Sequence, residues 1–132
     1  MDFSFPKKDR LCQKRRFDAL LAQGNSFFIY PFRVIWLCRD EESGSVPVQI
    51  AISVRKKQFK RAVWRNLIKR RFREAWRLNR RPLTEQLIHD HQSLYVLMVY
   101  GANEILPYPE IELRLKQVVK RLMEETKMGK SG

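Results

Sequence analysis

Val46 to Arg77 reads VPVQIAISVRKKQFKRAVWRNLIKRRFREAWR, and the spacing of its apolar residues changes part-way along. Val48, Ile50, Ile52 and Val54 alternate with Gln49, Ala51 and Ser53, the period of two that turns one face of a strand into a core. From Ala62 the period is helical. Val63, Trp64, Leu67, Ile68, Phe72 and Ala75 gather on one side of a helix advancing about 100° per residue. Arg65, Asn66, Lys69, Arg70, Arg73 and Arg77 gather on the other. Trp76 falls on the border and is expected at the core edge. Arg71 projects from the apolar side, where it must reach outward along its alkyl stem or meet an acid.

Working outward, Leu11, Phe17, Leu20 and Leu21 predict a first helix over Leu11–Gln23, closed by Gly24. FFIYPFRVIWLCRD (27–40) is rich in aromatic and β-branched residues, with Pro31 dividing a short edge strand from a longer one at Phe32–Arg39. DEESGS (40–45) reads as a hairpin turn into the next strand. Pro82 and the polar run to Gln92 read as a connection, and SLYVLMVY (93–100), apolar on both faces, as an interior strand. In the closing helix Ile111, Leu115, Val118 and Leu122 form one stripe, with Pro109 in the first turn. The predicted fold is α+β: a small mixed sheet covered by helices, in the order α-β-β-β-α-β-α. A chain of 132 residues suits a single domain, placed at 1–126, with 127–132 as a flexible tail.

The chain carries 27 Lys and Arg against 14 Asp and Glu, a formal charge of +13 that calls for a polyanionic partner. There is no apolar run long enough to cross a membrane and no signal-peptide core at the N-terminus, so a cytoplasmic location is expected. Cys12 and Cys38 lack metal or redox spacing and are read as reduced thiols. Arg65, Lys69, Arg73 and Arg77 stand at successive i,i+4 positions, where like charges repel by a few tenths of a kcal/mol per pair. A merely solvated face mixes signs, and this one is rich in Arg, whose planar fork suits phosphate. Asn66 adds an amide able to read a base edge or ribose hydroxyl. Lys56 and Lys57 before the helix, with Lys60 and Arg61 opening it, concentrate the charge further.

The run SVRKKQFKRAVWRNLIKRRFREAWR closely resembles the signature of the bacterial ribonuclease P protein component family: a strand ending in Lys-Lys, then Ala-Val, Arg-Asn, Lys-Arg and Arg-Glu at this spacing. A looser likeness runs back through RLCQKRRFDALLAQGNSF and forward into SLYVLMVY and the closing helix. The resemblance implies an RNA-binding subunit of the endoribonuclease that trims the 5′ leader from precursor tRNA, catalysis residing in the RNA subunit. Its implied partners are that catalytic RNA and precursor tRNA, with no membrane and no protein partner indicated. No catalytic or metal-binding residue is assigned to the protein, and Mg2+ is expected for the RNA-based reaction. Carried over by motif, Arg65, Asn66, Lys69, Arg70 and Arg73 face the catalytic RNA. A cleft between the first helix and the sheet holds the single-stranded leader, with Phe17, Leu21, Ile35, Ala51 and Ser53 as its candidate residues. The resemblance also implies a ribosomal-protein-like sandwich with a left-handed strand-helix-strand crossover. The chain departs from the family pattern at Leu67, where a third Arg is usual, at Leu21 and Ile35, where many relatives carry aromatics, and at Gln49, which replaces a common Arg.

A ribosomal or general RNA-binding protein fits the charge and fold equally well, and the motif spacing is what separates the two readings. A basic leucine zipper needs heptads where Pro82 stands. An autonomous nuclease needs metal-bound carboxylates or an acid-base pair, for which HDH at 89–91 is the candidate, read here as surface residues. Membrane-surface binding needs a bulky apolar face opposite the cations, which the strands already occupy.

Overall fold

A computed structural model of the chain describes residues 14–40 and 47–129, with side chains placed for 18–40 and 47–127. The elements are α1 (Lys14–Gln23), β1 (Asn25–Ile29), β2 (Phe32–Asp40), β3 (Val48–Val54), α2 (Ala62–Asn79), α3 (Arg81–His89), β4 (Gln92–Tyr100) and α4 (Tyr108–Gly129). The sheet runs β1-β2-β4-β3. β2 pairs antiparallel with both β1 and β4, and β3 pairs parallel with β4. The expected α+β class is observed, with the last strand in sequence in the interior. Along β4, every residue from Gln92 to Met98 is buried.

The expected hairpin between β2 and β3 is not formed, because β4 lies between them. The alternation in Val48–Val54 established a strand with one apolar face but carried no information on which neighbour it takes. A second correction lies at Pro82–Gln92, where α3 replaces the expected connection. Pro82 sits in its first turn, where a missing N–H costs nothing. Leu83 and Leu87, one turn apart, are fully buried. Two core residues in a nine-residue helix make a short stripe, easily taken for a polar link. At the C-terminus α4 runs to Gly129. Thr126 is fully buried, bonded to the Leu122 carbonyl and accepting from Gln86 Nε2 at 3.1 Å, which ties α3 to α4.

One face of the sheet holds the main core. Phe32, Val34 and Trp36 from β2, Val48 and Ile50 from β3, and Leu94, Val96 and Met98 from β4 pack against Ile68, Phe72, Ala75 and Trp76 of α2 and Ile111, Leu115, Val118 and Leu122 of α4. The apolar arc of α2 is therefore turned from its expected position. Trp76 is almost fully buried, whereas Val63 and Trp64 are exposed, at 59% and 41%. The arc is shifted towards Trp76 and away from the apolar pair in the first turn. The opposite face carries a smaller cluster in which Leu20 of α1 packs on Tyr95 and Leu97. Gly24 ends α1 for a steric reason, since a Cβ there would meet the Leu20 carbonyl at 2.3 Å and the Trp36 carbonyl at 3.1 Å.

Arg71 finds its partner in a backbone rather than an acid. Its Nη1 donates to the Leu106 carbonyl at 2.6 Å. The Tyr100 hydroxyl holds the same loop, accepting from the Leu106 N–H at 3.1 Å and donating to the Glu104 carbonyl at 2.7 Å. Its ring lies between Phe32 and Phe59, with centroids 6.1 and 6.0 Å away. Burial raises the phenol's pKa, keeping it a donor. Tyr100→Phe strips the buried Leu106 N–H of its acceptor and is expected to cost about 1–3 kcal/mol, read as a lower urea midpoint at unchanged slope.

Candidate nucleic-acid interface

The basic surface begins where β3 stops. After Val54 the chain turns through Arg55, Lys56 and Lys57, and the Gln58 and Phe59 N–H groups both return to the Arg55 carbonyl at 3.2 Å. Phe59 is buried against Tyr100, anchoring the turn to the core. Arg65 then folds back, its Nη1 donating to the Phe59 carbonyl at 2.7 Å and the Lys60 carbonyl at 2.9 Å. The sequence placed Arg65 on an outward stripe. The structure makes it half-buried, a brace between the turn and the helix, because α2 is rotated to bring the Arg65–Lys69–Arg73 line against the flank of the core.

Lys69 and Arg73 are half-buried along that flank, and Asn66, Arg70 and Arg77 point outward. Lys69 has its pKa lowered by burial and then by the nearby Arg73 and Arg65 guanidinium groups. Leu67, where an Arg was expected, is half-buried on the flank it shares with Arg71. Arg77 is engaged by Glu74 through two hydrogen bonds, 2.8 and 3.2 Å. In α3 and α4 three arginines are paired similarly, Arg81–Glu85, Arg114–Glu110 and Arg121–Glu125, each one turn apart. By contrast, the side chains of Lys56, Lys57, Lys60, Arg61 and Arg70 are exposed and make no hydrogen bond or ion pair among the described residues. Such a cluster focuses a positive field on one end of the molecule.

The second surface is the sheet face under α1. Strand register sets its rows: Ser26, Ile35, Leu97 and Ala51 in one, Phe28, Arg33, Val99 and Ser53 in the next. α1 packs over β2 and β4. Ile35, Ala51 and Ser53 are half-buried there, and Gln49 is buried. Leu21 is 57% exposed on α1. The side chain of Phe17 lies outside the described residues. Ile35, Ala51 and Ser53 thus share one face, lined by small and aliphatic side chains.

A family model described as Ribonuclease P matches residues 5–123. The ribonuclease P protein component of Porphyromonas gingivalis is 28% identical over 120 residues, 91% of this chain and 87% of its own length. That of Dictyoglomus thermophilum is 38% identical over 101 residues, 76% of each chain. Among solved structures, the ribonuclease P protein of Thermotoga maritima superposes with a TM-score of 0.65 at 22% identity, covering 85% of this chain and 96% of its own. That of Staphylococcus aureus gives 0.63 at 21%, covering 86% and 94%. The chain belongs to the ribonuclease P protein family.

Its membership makes it a protein subunit of ribonuclease P. Of the motif residues that the family signature picks out, Asn66 and Arg70 are open to a ligand, Lys69 and Arg73 partly so, and Arg65 is bound to its own backbone. The sequence missed Phe28, Tyr30 and Arg33, exposed at the end of the α1 face. The signal was present in the parity of FRVIWL, which places Arg33 on the same face as Ile35. His89 ends α3 and contacts Asp90 at 3.1 Å, while His91 follows with φ 56°. Among the described residues no group of three His, Cys, Asp or Glu side chains is placed to hold a metal ion, and no helix is long and apolar enough to cross a membrane.

Two variants separate brace from ligand. Arg65→Ala is expected to cost about 1–3 kcal/mol, because the Phe59 carbonyl loses a charged donor. Arg70→Ala should fall within about ±0.5 kcal/mol of the parent, as exposed substitutions do. Thermal melts of the free protein read both.

Cys38 gives a pH test. Its thiol is pushed up to about 11, first by burial and then by Asp40 and Asp90. A raised folded pKa favours the protonated thiol, so its contribution to stability is complete below the ordinary thiol value and is lost as pH rises towards 11. In a Cys12→Ser background, alkylation at pH 8 should be far slower for folded protein than for protein in urea.

Proposed function

We propose that this subunit binds the catalytic RNA of ribonuclease P through the turn at Arg55–Arg61 and the outward side of α2, and holds the 5′ leader of precursor tRNA against the sheet face under α1. The observation that carries this reading is the set of exposed cations, Lys56, Lys57, Lys60, Arg61 and Arg70, whose side chains have no partner among the described residues, in and before the helix that bears Asn66 and the family motif. Phosphates supply the missing charge, and displaced counterions drive the association. Lys69 and Arg73 add charge from the flank. The proposed leader site offers Ile35, Ala51 and Ser53, with Leu21 and Phe17 on α1, for bases lying against small and aliphatic side chains.

In this reading the protein binds and positions RNA, and hydrolysis is carried by the RNA subunit. Magnesium belongs to that RNA chemistry, and no step is routed through a protein-bound ion. The cytoplasm, where precursor tRNA is processed, is the proposed location.

Reconstitution with a candidate catalytic RNA tests the assignment. The purified protein alone should leave precursor tRNA intact, and the His89→Ala/His91→Ala variant should support normal cleavage with the RNA. Site-specific cleavage by RNA-free protein, abolished in that variant, overturns the reading. Arg70→Ala should weaken holoenzyme assembly and lower the salt slope of binding by about one unit. An unchanged slope would remove Arg70 from the interface.

Lys69 adds a pH signature. Burial first, and then the neighbouring Arg73 and Arg65 cations, lower its pKa in the free protein, and phosphates nearby would raise it again. Binding therefore takes up a proton at alkaline pH, and affinity should fall as pH rises there. Lys69→Arg, which cannot lose its charge in this range, should flatten that dependence.

A further inference from the structure

Ile29, Phe32, Tyr100 and Val54 are aligned across the four strands at one end of the sheet. The basic turn leaves from this end at Arg55, and the β1–β2 turn closes it on the far side with Tyr30 and Pro31. Phe28 is 59% exposed and Tyr30 45% exposed, and their rings meet edge to face, centroids 6.4 Å apart and planes at 62°. Phe28 lies beside Gly101, where a Cβ would stand 3.8 Å from its ring. Arg33, its register partner, is exposed and has no partner among the described residues. The row Phe28, Arg33, Val99, Ser53 spans three strand spacings, about 14 Å, and ends at Ser53 of the proposed leader site.

We infer that Phe28 and Tyr30, with Arg33, form a stacking platform for an unpaired nucleotide of the precursor's leader, beyond the part held near Ser53. This rests on the leader reading above and extends it to residues that the family signature does not include. An edge-to-face pair has no slot between its rings, so the base lies on one exposed ring while Arg33 meets the adjoining phosphate. Continuity with the proposed site along one row, the free cation beside the rings and the chain's charge of +13 favour single-stranded RNA over a protein partner. Neither ring belongs to the main core, so their truncation leaves it intact.

The test measures affinities of reconstituted holoenzyme for mature tRNA and for precursors of graded leader length, with calcium replacing magnesium to suppress cleavage. Phe28→Ala/Tyr30→Ala should weaken binding about fivefold to tenfold for long leaders and leave the shortest leader and mature tRNA unchanged. Quenching of 2-aminopurine placed along the leader should disappear at one distal position in that variant. Arg33→Gln should give a smaller loss that fades at high salt. Equal losses at every leader length, no loss at all, or self-association of the free protein abolished in the double variant would each overturn the platform. If the wild-type holoenzyme ignores leader length, the leader reading itself fails. If the wild type depends on leader length and the double variant matches it, only the platform falls.

Discussion

The structure depends on β4 lying between an antiparallel and a parallel neighbour. A parallel partner cannot be reached by a tight turn, so the chain leaving β3 must travel back before β4 can start in the same direction. α2 and α3 make that journey, and burial of Leu94, Val96 and Met98 holds them to the sheet. The same pairing puts the end of β3, the end of β4 and the β1–β2 turn at one edge. The basic turn and the first turn of α2 are therefore placed where the sheet face under α1 also opens. The meeting of these segments at one edge follows from topology before any single side chain is considered.

How the chain tolerates its charge is a question of relative magnitudes. Repulsion between like charges one turn apart costs a few tenths of a kcal/mol per pair. Burying each of Ile68, Phe72 and Trp76 contributes about 1.5–3 kcal/mol. The core term is larger by several-fold, so α2 forms despite its cations, and the rotation that places Trp76 inward decides which cations stay free. Arg65 is drawn in to the carbonyls of Phe59 and Lys60, whereas Arg70 remains outside.

Periodicity made the strands, α2 and α4 legible in the sequence, because their apolar stripes are long and their partners abundant. The interior place of SLYVLMVY was legible for the same reason, being apolar on both faces. α3 was not, since Leu83 and Leu87 are too few to outweigh the polar residues around them. Strand pairing was not legible either, as β3 has the same alternation whichever neighbour it takes. Within the site, residue types were readable and orientations less so. A helical wheel fixes the angles between residues but not the zero of the wheel, and a shift towards Trp76 brought Arg65 from the outward stripe to the carbonyls of Phe59 and Lys60. Arg71 shows the same limit, for its partner is a carbonyl 35 positions away in sequence.

The residual repulsion on α2 links stability to binding. Burial, and then the nearby Arg73 and Arg65, disfavour the charge of Lys69, a cost present in the free protein that, under the proposed function, phosphates alongside would offset. A ligand bound by the folded arrangement of these cations stabilises the fold by mass action, to the extent that the extended chain cannot reproduce their spacing. Arg65 clamps the turn to the helix through its hydrogen bond at 2.7 Å to the Phe59 carbonyl, which fixes the spacing of the cations around it. Under the proposed function, loss of this brace would act on binding indirectly, through disorder of Lys60 and Arg61, and loss of Arg70 through one missing charge.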